Sequence, residues 1–238
     1  MKSTTWALVL AVGKTEQLSS EVDTPFLFLR DRPVLAYSLA ALMQTPEIDG
    51  IVVAAPREHV EAILSMTKLF GFSKMRKIVA VPRRRDQAVR ATLPHLDPAV
   101  TCLCLPDPSR PFVPPAYFSQ VIRAAQTKRA PAIAATETLD PVVRVKKAVA
   151  PEVLLSSPSA GRLWTLLSPR AIPFALFQNL YDSSPKNKTL ADDEFSLLAA
   201  AGHPLRLVPV PSDPAPVFRL RTKDDLVPAL QILKTLDK

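Results

Sequence analysis

The strongest constraint on the fold is a rhythm in which short, nearly continuous apolar runs alternate with amphipathic stretches from the N-terminus to about Thr136. The apolar runs are Ala7 to Ala11, Gly50 to Ala55, Lys77 to Val81, Val100 to Leu105 and Pro131 to Ala135. A strand that alternates polar and apolar residues has one wet face, whereas a continuous apolar run predicts a strand covered on both. Between the runs lie helical patterns over Pro33 to Met43, Glu58 to Phe70, Asp86 to Leu93 and Pro114 to Lys128. In the first of these, Val34, Leu35, Leu39 and Leu42 share one face, and Pro33 and Pro114 stand where a first helical turn tolerates proline. Strand and helix in alternation predict an α/β fold, a mixed and mostly parallel sheet between helical layers.

After Thr136 the rhythm changes. Two β-like runs within Asp140 to Leu155 are separated by Lys146 and Lys147 with no helix between them, which predicts a β-arm projecting from the domain. Helix and strand then return: Pro173 to Tyr181, Asp192 to Ala201 capped by Gly202, a strand over Leu205 to Val210, and a last helix over Lys223 to Leu236. A chain of 238 residues with no internal repeat and no low-complexity linker reads most simply as one domain.

Composition closes several alternatives. The apolar stretch Trp6 to Val12 is interrupted by Gly13 and Lys14 well short of a membrane span, follows only one basic residue and precedes no cleavage pattern, so it reads as a strand. Cys102 and Cys104, two residues apart in one strand, point to the same face and suit neither a disulfide nor a metal site; they read as small buried hydrophobes of a cytoplasmic protein. Three scattered histidines supply no metal-ligand spacing. The net charge of +8 calls for an anionic partner. The densest basic run, Arg83 to Arg85 followed by Arg90, has no interleaved aromatics, which favours a phosphorylated small molecule over nucleic acid.

Several blocks resemble, in the right order and over nearly the whole chain, those of the 2-C-methyl-D-erythritol 4-phosphate cytidylyltransferase family. Ala7 to Gly13 stands where that family has a strand running into A-A-G-x-G-x-R-M. The segments from Thr24 to Leu29 and from Arg32 to Leu39 are similar to P-K-Q-Y-L and G-x-P-V-L-x-H-T-L. Arg85 to Val89 resembles R-Q-D-S-V, and Pro106 to Val113 resembles H-D-A-A-R-P-F-V, the most specific block. Leu163, Trp164, Ser168 and Pro169 are similar to L-W-x-x-Q-T-P, Asp192 to Glu194 to T-D-D/E, and Phe218 to Leu226 to I-K-V-T-x-P-E-D-L.

The resemblance implies a three-layer, Rossmann-like nucleotidyltransferase fold. It further implies attack by a phosphomonoester on the α-phosphorus of CTP in isoprenoid precursor synthesis, with Mg²⁺ as cofactor and pyrophosphate as product. Carried over by position, Asp107 is the catalytic and metal-holding aspartate, Arg110 and Arg219 bind the substrate phosphate, and Ala11, Val12, Gly13 and Arg85 belong to the nucleotide site. The arm implies a homodimer, since a lone two-stranded ribbon is marginal in water.

The sequence departs from the family pattern around the triphosphate. Thr15 replaces the second glycine of the loop, its arginine falls among Glu16, Gln17 and Leu18, and Phe26 occupies the lysine position, leaving Lys14 as the candidate replacement cation. Where the resemblance implies recognition of the cytosine base, Val81 and Pro82 replace a glycine pair, and Ala88 replaces the serine. Two readings follow: a divergent cytidylyltransferase with an eroded triphosphate grip, or, on the same fold, an inactive ligand-binding or scaffolding protein or a nucleotidyltransferase of different specificity.

Overall fold

A computed structural model describes residues 3–12, 23–138, 144–145, 154–156, 163–183, 194, 197–198 and 201–236. Its central sheet contains β1 (Thr5–Leu10), β2 (Gly50–Ala55), β3 (Met75–Ala80), β4 (Cys102–Leu105), β5 (Ala132–Glu137), β6 (Trp164–Pro173) and β7 (Arg206–Pro209). The spatial order is β7-β5-β6-β4-β1-β2-β3. Every neighbouring pair is parallel except those made by β6, which runs antiparallel to both β4 and β5.

The principal helices are α1 (Val34–Met43), α2 (Val60–Leu69), α3 (Arg85–Thr92), α4 (Pro115–Lys128), α5 (Phe174–Asp182) and α6 (Leu226–Leu236). Strand side chains alternate between faces, so β1 feeds two separate cores. Ala7, Val9 and Ala11 pack with α1, α2 and α4; Leu8 and Leu10 pack with α3 and α5 around Phe177. This is the three-layer arrangement that the apolar runs predict. A third cluster, with Leu29, Val34, Phe112, Leu220, Ala229 and Leu233, fastens the C-terminal segment and α6 to the segment after β4.

Three expectations are corrected. Both faces of Lys77 to Val81 were expected to be buried, but β3 is the edge strand and Arg76, Lys77 and Ala80 are exposed. No strand was expected over Trp164 to Pro173, because prolines at 169 and 173 argue against a central strand. The chain solves this with a register shift between Leu166 and Arg170, so that the ladder is interrupted where Pro169 cannot donate. Pro33 is the N-cap of α1 and lies outside its first turn.

Within the expected arm, Arg144–Val145 pairs antiparallel with Leu154–Ser156, and the rest of it lies outside the described residues. Of the helix expected over Asp192 to Ala201, Glu194, Leu197 and Leu198 are described and helical. Gly202, with φ of 71°, takes the left-handed conformation expected of its cap.

Candidate functional site

In an open parallel sheet a ligand crevice forms outside the carboxyl ends of the strands where connections diverge. Here that place lies between β1, whose chain proceeds to β2, and its other neighbour β4. Beyond the fully buried β4 the chain turns sharply through Pro106, Asp107, Pro108 and Ser109. The Arg110 N–H donates to the Asp107 carbonyl at 3.0 Å, and the Ser109 N–H donates to Asp107 Oδ1 at 3.0 Å, an Asx turn. Ser109 Oγ donates to the same oxygen at 2.6 Å, while the Asp107 N–H donates to Ser168 Oγ on β6 at 2.9 Å.

The turn leaves Asp107 Oδ2 for cations. Arg219 Nε lies 3.3 Å away and also donates to Ser109 Oγ at 3.0 Å; Arg110 Nε lies 3.7 Å away. Arg219 is delivered from the far end of the chain by the Leu220 N–H, which donates to the Ser109 carbonyl at 2.8 Å. Burial pushes the Asp107 carboxyl up, but Arg219, the two Ser109 donors and Arg110 outweigh it and hold the group below the usual aspartate value.

A cleft of about 270 Å³ opens here, lined by Arg85, Asp107, Arg170 and Arg219 with Leu105 and the flanking prolines. Arg110 is not among these lining residues. It is 7% exposed, and its guanidinium donates to the Val217 carbonyl. Burial lowers its pKa, Asp107 partly offsets this, and the neighbouring Arg219, Arg221 and Arg170 lower it further, a direct sign of crowded positive charge.

In the second wall of the cleft, Arg85 is the residue carried over from the family, whereas Arg170 and the pairing of both arginines with Glu194 were not anticipated. Arg85, in the first turn of α3, donates to Glu194 Oε1 from Nε at 3.1 Å, and its Nη2 reaches both Glu194 oxygens, at 2.9 and 3.0 Å. Arg170 on β6 donates to Glu194 Oε2 at 3.0 Å, and the Tyr181 hydroxyl to Oε1 at 3.2 Å. Glu194 is wholly buried; burial raises its pKa, yet the Arg85 and Arg170 charges more than compensate and keep it low. The available signals were small: Arg170 directly follows Ser168 and Pro169, and Glu194 is a carboxylate opening an apolar helical run. Four guanidiniums thus share two carboxylates around one cleft.

This geometry, an arginine-rich cleft at the carboxyl end of β4, accompanies a sequence match to the 2-C-methyl-D-erythritol 4-phosphate cytidylyltransferase family model over residues 5–235. The chain belongs to that family. A 2-C-methyl-D-erythritol 4-phosphate cytidylyltransferase of Desulforamulus reducens is 28% identical over 96% of this chain and 95% of its own length. One from Syntrophus aciditrophicus is 29% identical over 98% and 97%. Among solved structures, a 4-diphosphocytidyl-2C-methyl-D-erythritol synthase from Anaerococcus prevotii shares the fold, with a TM-score of 0.80 and 19% identity over 98% of this chain and 99% of that one.

Of the nucleotide-side residues carried over from the family, Arg85 lines the cleft, and Ala11 and Val12 are not among its lining residues. Ala11 is buried, and its N–H donates to the Ala54 carbonyl at 2.8 Å, so that donor is already spent on extending the sheet. Val12 is half-buried, and Gly13 and Lys14 lie outside the described residues. The Phe26 ring stacks on His59, with centroids 3.8 Å apart and 14° between planes. His59 Nε2 lies 2.8 Å from Asp23 Oδ2, and Arg83 bonds both Asp23 oxygens and Glu58. The Val81 N–H donates to the Ala55 carbonyl at 2.9 Å, and Pro82 has none to offer.

Proposed function

We propose that the chain transfers a cytidylyl group from CTP to 2-C-methyl-D-erythritol 4-phosphate, with a weakened hold on the triphosphate. The observation that carries this reading is the meeting of Asp107 and Arg219 in an arginine-lined cleft at the carboxyl end of β4. In the reaction an oxygen of the phosphomonoester attacks the α-phosphorus, the bond from that phosphorus to the bridging oxygen of the β-phosphate breaks, and pyrophosphate leaves. Charge spreads over phosphoryl oxygens along the way, so fixed cations and positioning supply most of the rate enhancement.

Arg219 meets Ser109 and Asp107 through Nε, which orients the fork of its guanidinium and suits its terminal N–H groups to the acceptor phosphate. Arg110 adds charge from behind and fixes the Val217 carbonyl. Asp107 fits a Mg²⁺ held chiefly by phosphates and water. Its Oδ1 is filled by two Ser109 donors, while Oδ2 has only the longer arginine contacts and keeps a lone pair. When bound there, the ion supplies charge neutralisation between the phosphates.

The weaker triphosphate hold follows from Phe26, whose ring packs on His59 where the family has a lysine, while the loss of a donor at Pro82 weakens recognition of the base. One missing preorganised contact costs roughly a hundredfold in rate, about 3 kcal/mol. Pyrophosphate release with CTP, ATP, GTP and UTP in turn, with Mg²⁺ and 2-C-methyl-D-erythritol 4-phosphate, tests the reading. The expected result is CTP turnover at least about a hundredfold below an ordinary enzyme of this kind, raised by Phe26→Lys with Thr15→Gly. Turnover of several per second in the unaltered chain would remove the weakened grip; no release with any nucleotide would remove the transferase reading. Cys102 and Cys104, buried free thiols, with burial pushing Cys102 up to about 12, suit a reducing cytoplasm. The arm is expected to make a two-fold dimer, and a monomer by light scattering at micromolar concentration would refute it.

A further inference from the structure

We infer that Arg85 and Arg170, anchored on the buried Glu194, form a second phosphate-binding wall of the cleft, with Glu194 as its positioning residue. The inference rests on the transferase reading only for the identity of the ligand; its chemistry, recognition of a phosphate group, stands on the geometry.

Three observations support it. The first is exposure: both guanidiniums line the cleft that also contains Asp107 and Arg219, so a ligand seated on Arg219 lies against them. The second is the anchor. Glu194 is 0% exposed and lies between the two arginines; each of its oxygens accepts from Arg85, Oε2 also from Arg170 and Oε1 also from the Tyr181 hydroxyl. A wholly buried carboxylate is costly unless its lone pairs are satisfied, and here all the donors arrive together.

The third is geometry. The grip of Glu194 on Arg85 fixes that guanidinium's plane, while Arg170 approaches the same carboxylate from β6. Two cations around one carboxylate can accommodate an anion between them. Planar guanidiniums pre-set in this way bind phosphate through paired N–H groups without first losing rotamer freedom. The elements agree: α3 packs on β1 and β2, β6 pairs with β4, and the register partner of Arg170 is Leu105, two residues before Asp107.

Two phosphates could use this wall, those of the nucleotide or the phosphomonoester of the acceptor. Calorimetry on the full chain with inorganic pyrophosphate and with 2-C-methyl-D-erythritol 4-phosphate separates them. Arg170→Gln is expected to weaken one probe about tenfold or more, and Arg170→Lys to recover part of the loss. Loss confined to pyrophosphate assigns the wall to the nucleotide, and loss confined to the phosphomonoester assigns it to the acceptor. Affinities unchanged for both probes would overturn the wall. Glu194→Asp, which keeps the charge but retracts it, is expected to stay folded and to weaken the same probe. Combined with Arg170→Gln it should add less than the product of the single effects, because both act through one contact. A folded Glu194→Asp chain with full affinity would overturn the positioning role. Phosphate binding that depends on Arg170 in a chain releasing no pyrophosphate would retain the wall and discard the transferase reading; normal release with an insensitive Arg170 would do the reverse.

Discussion

The two sides of the crevice use arginine in opposite ways. Beside β2 and β3, Arg83 is matched to two carboxylates, Asp23 and Glu58, and Arg84 to Asp86, so each cation is neutralised locally. Beside β4 and β6, Arg85, Arg110, Arg170 and Arg219 converge on Asp107 and Glu194. The densest basic run is divided between them, with Arg83 and Arg84 on the first side and Arg85 on the second. Clustered basic residues therefore indicate little until their carboxylates are placed, and the ratio of the two, more than the number of arginines, marks a binding surface.

That contrast can be broken by substitution. The largest effect is expected at Glu194→Ala, which strands two guanidiniums and leaves a hole in a buried network. Breaking a buried pair from one side costs about 3–5 kcal/mol, so the melting temperature should fall by roughly 10 °C in a thermal scan. A shift of only a degree or two would mean that the buried carboxylate carries no such weight. Next comes Arg219→Ala, with an expected loss of about 10 to 100-fold in affinity for 2-C-methyl-D-erythritol 4-phosphate by calorimetry, the usual range for a charge-assisted contact of 1.5–3 kcal/mol. Arg83→Ala completes the series. Its exposed pairs should contribute less than about 1 kcal/mol to stability, and ligand affinity should change by less than about twofold. If Arg83→Ala weakens the ligand as much as Arg219→Ala does, the two sides are not distinct.

Much of the framework was legible because burial on both faces writes itself as uninterrupted apolar residues, as at β1, β2 and β4. It failed in two instructive places. β3 has apolar residues yet lies at the edge, since strand order is a property of the whole sheet. β6 is hidden by Pro169, because proline argues against a ladder and only the register shift around it admits the strand. At the site, Asp107 could be read from its block, and in the structure its Oδ1 closes the turn while its Oδ2 meets Arg219. Glu194 was marked by its block, but its meeting with Arg170 and Arg85 was not legible: Arg170 lies 24 positions from it and Arg85 lies 109. Nothing local distinguishes a carboxylate that will be buried between two arginines from one that will face water.

The bond between Arg219 and Ser109 spans 110 positions of sequence. A ribosome delivers the turn at Asp107 long before it delivers its principal cation, and closing so distant a contact carries a large entropic cost that is offset only when α6 and Leu220 seat against Phe112. The sheet strands β1 to β6 precede that moment in synthesis. The nascent chain can thus acquire its scaffold before Asp107 meets Arg219, and that half of the cleft is completed only with the last helix.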